Sequence, residues 1–106
     1  MYAITIEFRY YNKDNDWSFS INPIGCYENI DEAIREGNIA LQKTEKAFKC
    51  KLDRFSKNGG AFGTRMFLVA NLNVEFKRKR MQIFAKIIEY LPITINDAIK
   101  NVKSKI

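Results

Sequence analysis

The sequence predicts an α+β fold in which an antiparallel sheet, made of a ββα unit followed by a ββ hairpin, is joined to two C-terminal helices. Two N-terminal segments alternate apolar and polar residues with the period of a strand, and a capped segment with helical periodicity follows them. The 106 residues, 46% of them apolar, suit one small domain. We therefore predict a single domain with the ββα unit at about 2–48, the hairpin at about 50–74 and a basic helical tail at about 76–106.

The first hairpin is predicted from two alternating segments joined by the polar turn 12–16. The even-numbered residues of 2–10 form the apolar face of the first strand, and Trp17 and Phe19 belong to that of the second. We interpret Trp17 and Phe19 as core residues because they share the buried phase of the alternation. The alternative is a surface on which nucleic-acid bases stack, formed by Tyr10, Tyr11, Trp17 and Phe19.

A helix is predicted over about 30–48. Asn29 occupies the N-cap position, and Glu32 three residues later completes a pair that resembles a capping box. Gly37 weakens the helix. Nearby carboxylates suggest a metal-dependent nuclease as an alternative, but turn and cap chemistry accounts for most of them, so we predict no metal site. These carboxylates are Asp14, Asp16, Glu28, Asp31 and Glu32.

The second hairpin is predicted from a weak strand at about 50–55 and a stronger one at about 65–74. Asn58-Gly59 between them is a favoured hairpin-turn sequence. The glycines within 59–63 do not match the spacing of a phosphate-binding loop, so we interpret them as a flexible turn.

Lysine and arginine are concentrated at the start of the predicted tail, in the run 77–80. Apolar residues at helical spacing after them predict a helix that Pro92 ends. Four cations at a helix start oppose the helix dipole, so contact with phosphates or acidic side chains explains them better than local stability does. A last short helix is predicted from Thr94 and Asp97, which resemble another capping box.

The charge is divided unevenly along the chain. Residues 1–53 hold seven Lys or Arg against nine Asp or Glu, whereas residues 54–106 hold eleven against three. We therefore expect the second half to meet an anionic partner, although a lysine-rich surface that serves only solubility would show the same bias.

Several classes of protein are disfavoured by what the sequence lacks. It has no histidine and no phosphate-loop signature, so we predict neither an enzyme nor a cofactor. It has no apolar segment long enough for a membrane span, and its N-terminus does not resemble a signal peptide. We expect a cytoplasmic protein that contacts no membrane, with Cys26 and Cys50 as reduced thiols.

Two partial resemblances follow from these segments. Residues 2–48 resemble the N-terminal domain of HicB antitoxins, through the turn 23–26 (Pro-Ile-Gly-Cys) and the helix start 31–34 (Asp-Glu-Ala-Ile). Residues 69–106 are similar to a ribbon-helix-helix DNA-binding module, through 71–74 (Asn-Leu-Asn-Val) and the predicted helices after it. HicB proteins often carry such a module at the C-terminus, so the order of the two halves agrees.

The resemblance implies a homodimer in which one strand from each chain enters the major groove of double-stranded DNA. It implies that Asn71 and Asn73 face the bases, where asparagine can make two hydrogen bonds to adenine. It also implies that the acidic first half binds a basic toxin nuclease as its protein partner. The groups implied to hold phosphates are Lys77, Arg78, Lys79, Arg80 and Thr94.

The sequence thus favours a non-enzymatic regulatory binding protein, similar to an antitoxin or repressor. It would bind a protein through the ββα half and DNA through the basic half. The alternative hypothesis is a phage or mobile-element inhibitor that binds a host protein without contacting nucleic acid.

Overall fold

The computed structural model describes residues 1–57, 66–90 and 94–106. The first half contains strands β1 (Tyr2–Tyr11) and β2 (Trp17–Tyr27) and helix α1 (Ile30–Phe48). The second half contains strands β3 (Met66–Phe76) and β4 (Lys79–Glu89) and helix α2 (Ile95–Lys105). The predicted Asn58-Gly59 turn, the glycines within 59–63 and the helix end at Pro92 lie outside the described residues.

The four strands form one antiparallel sheet with the order β2-β1-β4-β3. Strands β1 and β4 are its centre, and Ile6 lies opposite Ala85 between them. The register shifts between Ile4 and Thr5 in the first hairpin and between Asn71 and Val74 in the second, as at β-bulges. The predicted turn at 23–26 is wrong, because these residues continue β2 and pair with β1 on both sides of the first register shift. The two hairpins therefore associate through their inner strands, and β2 and β3 are the edges.

Helix α1 covers one face of the sheet and closes the core. Its N-cap is Asn29, whose side-chain oxygen accepts a hydrogen bond from the Asp31 N–H at 2.7 Å. The predicted helix is thus confirmed in its bounds and its N-cap residue, whereas the predicted capping-box pairing with Glu32 is not among the cap hydrogen bonds of the described residues. The facing strands bury alternate residues beneath it, as a strand with one covered face does. The fully buried large side chains are Ile4, Leu41, Ile83 and Ile87.

Residues 50–57 have no strand structure and instead run back along α1. The Asn38 side chain accepts from the Phe55 N–H at 2.8 Å and donates to the Phe55 carbonyl at 3.1 Å. Glu45 accepts from the Leu52 N–H at 2.7 Å and from the Arg54 side chain at 2.6 Å. The predicted weak strand at 50–55 is therefore wrong, because α1 side chains bind the backbone groups that a strand partner would bind.

The predicted fold class is wrong in the order of its elements. The chain runs ββαββα, with α1 between two strand pairs, and residues 79–89, predicted as helix, form the central strand β4. The second hairpin therefore joins β3 to β4 and does not lie at 50–74. A ribbon-helix-helix module needs a helix directly after its strand, where this chain has a second strand. The described tail contains one helix.

Helix α2 begins at the predicted cap. The Thr94 hydroxyl accepts from the Asp97 N–H at 3.2 Å, and the Asp97 carboxylate accepts from the Thr94 N–H at 3.4 Å, so the predicted capping box is confirmed. Within the described residues α2 contacts no strand and does not contact α1. Its apolar side chains, Ile95, Ile99 and Val102, are exposed.

Candidate nucleic-acid interface

The basic run 77–80 lies at a hairpin turn rather than at a helix start. Phe76 pairs with Lys79, so Lys77 and Arg78 form a two-residue loop between β3 and β4. The φ angles of Lys77 and Arg78 are 52° and 64°. A two-residue hairpin loop with positive φ at both positions favours Asn-Gly, because most side chains disfavour that backbone conformation. We call residues 77–80 the basic turn.

Among the residues that the structure describes, none of the four cations of the basic turn forms an ion pair, and the carboxylate residue opposite them in the hairpin register is Glu75, across from Arg80. Lys79 donates from Nζ to the carbonyl oxygen of Asn12 at 3.0 Å, which ties the basic turn to the β1–β2 turn. Arg80 donates from Nη2 to the side-chain oxygen of Asn73 at 3.0 Å. These acceptors are uncharged, so the positive charge of the four side chains is available to an anionic partner.

A pocket of about 480 Å³ opens beside the basic turn, where α1 ends at Phe48 and leaves the end of the sheet uncovered. Phe48 packs at 5.4 Å from Phe8 and at 5.1 Å from Phe76 between ring centroids. We call this cavity the aromatic pocket. Its aromatic and apolar walls are Phe8, Tyr10, Tyr11, Phe48, Phe76 and Met81, and its cations are Lys13, Lys77, Lys79 and Arg80.

The structure brings five of the seven predicted nucleic-acid-binding residues together, namely the four cations of the basic turn and Asn73. Asn71 lies nearby on β3, but its side chain donates to the Lys51 carbonyl at 2.9 Å and accepts from the Asn73 N–H at 3.0 Å. Both of its polar groups are thus used to hold the β3 bulge. Thr94 caps α2, which has no contact with the sheet in the described part of the chain.

The sequence prediction missed the aromatic walls of the pocket. Phe8 and Tyr10 continue the buried alternation of β1 past the end of α1, and Phe48 is the last residue of the helix. The sequence contained a signal for this pocket, because the alternating segment of β1 extends beyond the end of the helix that covers it. The last apolar residues of such a strand are left without a helix above them. Finding the site also required the position of β4, which was predicted as helix.

The sheet face opposite α1, which we call the open face, carries a second group of aromatic residues. Trp17 is 39% exposed and Phe19 is 57% exposed, so the prediction that they lie in the core is wrong. The register explains this, because Trp17 pairs with Tyr11 and Phe19 with Arg9, on the face opposite the buried residues of β1. The Arg9 guanidinium lies 4.3 Å from the Phe84 ring centroid and 5.6 Å from that of Phe19, at cation–π distance.

No group of three or more Cys, Asp or Glu side chains in 1–57, 66–90 and 94–106 is placed to hold a metal ion. Asp31, one of the carboxylates considered for such a site, pairs with Lys57 at 3.2 Å. Burial raises the pKa of the Cys50 thiol, which disfavours the thiolate that a nucleophile requires.

Comparison with known proteins adds no relative. No family model, curated protein sequence or solved structure was found to match this chain. The resemblance to HicB antitoxins therefore remains a prediction. Neither described helix has the length and apolar character that crossing a membrane requires.

Proposed function

We propose that this protein is a non-enzymatic regulatory binding protein that binds DNA through the basic turn. The observation that carries this proposal is the conformation of Lys77 and Arg78. Both have positive φ, and neither pairs with a carboxylate among the described residues. Folding alone favours Asn-Gly at these positions, so these two cations cost stability where they stand. An anionic partner explains their presence better than the fold does.

The chemistry of the basic turn suits a phosphate backbone. Lysine and arginine bind phosphate oxygens with charge-assisted hydrogen bonds, and arginine can do so through two parallel N–H groups. Lys79 and Arg80 use part of their hydrogen-bonding capacity within the chain, which fixes their positions, and have further donors left. Such contacts position a protein on a strand without reading its sequence, so we expect affinity that depends more on salt than on base order.

The test is binding of labelled DNA, as duplex and as single strand, to the wild-type chain and to the variant Lys77→Asn/Arg78→Gly. We expect the variant to lose affinity by about tenfold or more at low salt, since two phosphate contacts are removed. The matched control is Arg35→Gln/Lys43→Gln, which removes the same charge from exposed positions on α1.

The control variant separates position from net charge. Affinity retained by Arg35→Gln/Lys43→Gln and lost by the basic-turn variant supports the proposal. Equal losses in the two variants would show that net charge alone attracts DNA. Absence of DNA binding by the wild-type chain would remove the proposal and favour the inhibitor that binds a host protein without nucleic-acid contact.

The proposal also includes a basic protein partner for the N-terminal half, of the kind that an antitoxin binds, in the cytoplasm. What supports it is the exposed apolar surface of β2 on the open face, where Trp17 and Phe19 stand with Ile21, which is 65% exposed. Tryptophan, phenylalanine and arginine are enriched in protein interfaces. The excess of acidic residues in 1–53 suits a partner with a basic surface around an apolar centre.

This part is tested by identifying a captured partner, purifying it and titrating it against variants. We expect Phe19→Ser/Ile21→Ser to weaken the complex at least tenfold, since buried aromatic and aliphatic anchors carry much of the binding energy. The matched control is Leu68→Ser/Leu72→Ser, which alters exposed apolar residues of β3 at the opposite edge of the sheet. Binding that survives the β2 variant and is lost in the control would place the interface elsewhere.

A further inference from the structure

The aromatic pocket combines an apolar lining with positive charge at its edge. Its exposed lining is mainly apolar, from Phe8, Phe48 and Phe76, and the Phe76 side chain remains 37% exposed at its mouth. Apolar surface of this kind is normally buried in a small domain. A volume of about 480 Å³ lies within the range of cavities that hold small organic ligands.

The charge at the pocket restricts which ligand fits. Lys13, Lys77, Lys79 and Arg80 line it, and no described carboxylate does. Lys77 places its ammonium 5.6 Å from the Phe76 ring centroid, so a cation stands directly beside an aromatic wall. A ligand that matches both features has a flat aromatic part and a negative charge within a few ångströms of it. An aliphatic chain would match the walls alone, and inorganic phosphate would match the cations alone.

We propose that the aromatic pocket receives one nucleobase whose own phosphate is held by the basic turn. The inference rests on the proposed function, and it adds the form of the nucleic acid. A base can enter the aromatic pocket only when it is unpaired and unstacked, so the preferred ligand is a single strand or an unpaired nucleotide. Phe48 and Phe76 supply the aromatic surfaces for stacking, and Tyr10 supplies a hydroxyl group at the wall.

The first experiment uses the wild-type chain and two single strands of equal length. One strand carries bases, and the other is abasic at every position, so the two present the same phosphates. We expect the base-bearing strand to bind about tenfold more tightly, because stacking of one base on aromatic side chains has about that effect. Equal affinity for the two strands would overturn the inference while leaving binding through the basic turn intact.

The second experiment uses Phe76→Leu, which keeps an apolar side chain but removes the aromatic surface. Phe76 is partly exposed at the end of β3, and thermal unfolding of the variant checks that it folds. We expect Phe76→Leu to lose the preference for bases over abasic strand and to keep the salt dependence of the wild type. A preference that survives in the folded variant would contradict the inference.

A third arm distinguishes a free nucleotide from a nucleotide within a strand. Deoxyadenosine monophosphate and deoxyribose 5-phosphate are titrated separately, and the methyl resonance of Met81, at the floor of the pocket, is followed by NMR. A shift with the nucleotide alone supports base entry without a strand. A shift that appears solely with the base-bearing strand supports a pocket that acts within a longer contact. No shift with any base-bearing ligand would place the base elsewhere and overturn the inference.

Discussion

Replacing the two loop residues of the basic turn should make the protein more stable, although it removes positively charged side chains that the proposal assigns to binding. The change is Lys77→Asn/Arg78→Gly, which installs the sequence that a two-residue hairpin loop favours. Each non-glycine residue at positive φ costs about 1 kcal/mol or more, and these residues have φ of 52° and 64°. Removing two neighbouring positive charges from a run of four also stabilises the folded protein, because it reduces the repulsion between them.

The increase in stability is reduced by about 0.5–1 kcal/mol, because glycine loses more backbone conformational entropy on folding than other residues do. We therefore expect a net increase of about 1 kcal/mol in the free energy of unfolding. For a domain of this size that corresponds to a rise in Tm of about 5 °C. The assay is urea unfolding followed by the fluorescence of Trp17, the one tryptophan in the sequence, with an unchanged m value.

Lys49→Gly is the matched control for this measurement. Lys49 has φ of 50° in the C-cap of α1, where glycine is the favoured residue, so the same gain of about 1 kcal/mol is expected there. A basic-turn variant that is no more stable than the wild type, beside a stabilised Lys49→Gly, would refute the reasoning. Lys77 and Arg78 would then suit the turn, and their conformation would no longer point to a partner.

Other expectations test the fold around the site. Hydrogen bonds from Arg54 and from the Leu52 N–H lower the pKa of Glu45 below its usual value of 4.5. The ionised Glu45 side chain therefore makes its full contribution to the free energy of unfolding above the unfolded-state pKa. This contribution is lost as pH falls through the lower folded-state pKa. In urea unfolding at a series of pH values, Glu45→Gln should lack this part of the acid dependence; an acid dependence identical to that of the wild type would contradict the Glu45 contacts. Gly37→Ala should destabilise by about 1–3 kcal/mol in spite of better helix propensity, because the new Cβ would lie 2.9 Å from the Phe55 ring. Stabilisation of that variant in thermal unfolding would show that Phe55 does not pack on α1. Ile83→Ala should cost about 2–5 kcal/mol in urea unfolding because Ile83 is fully buried in β4, whereas the predicted helix would have left it off the apolar stripe. A loss below 1 kcal/mol would favour the helix.

The sequence was sufficient where local signals and tertiary structure agree. Asn29 and Thr94 are caps in both the prediction and the structure, because a cap depends on residues within one turn of itself. The bounds of α1 followed from its apolar stripe. Strand β1 and residues 17–22 of β2 were likewise recognisable from their alternation, whereas the continuation of β2 to Tyr27 was not.

The sequence was insufficient where two periodicities fit the same residues. In 79–89 the apolar residues Met81, Phe84 and Ile87 fit a helix, whereas Met81, Ile83 and Ile87 fit a strand. The abundance of good helix formers favoured the helix. Residues 79–89 form a strand because pairing with β1 gives β1 a second neighbour and buries Ile83 and Ile87 completely. That contact is distant in sequence and leaves no local signal.

The candidate site was likewise predictable from the sequence only in part. The basic run 77–80 was visible as a charge cluster, but its position at a hairpin turn was not, because the sequence predicted a helix start there. The aromatic pocket was not visible, because Phe8, Phe48 and Phe76 meet only after both hairpins and α1 are assembled. Trp17 and Phe19 were assigned to the wrong face because hairpin register, rather than alternation alone, decides which residues share a face.

The salt dependence of DNA binding tests the central claim most directly. The logarithm of the binding constant should fall linearly with the logarithm of salt concentration for the wild-type chain. For Lys77→Asn/Arg78→Gly the slope should become shallower by about 1.4 to 1.8, which is the effect of two lost phosphate contacts on single-stranded or duplex DNA. The control Arg35→Gln/Lys43→Gln should keep the wild-type slope. A wild-type slope near zero, or an unchanged slope in the basic-turn variant, would contradict the claim that this turn binds the nucleic-acid backbone.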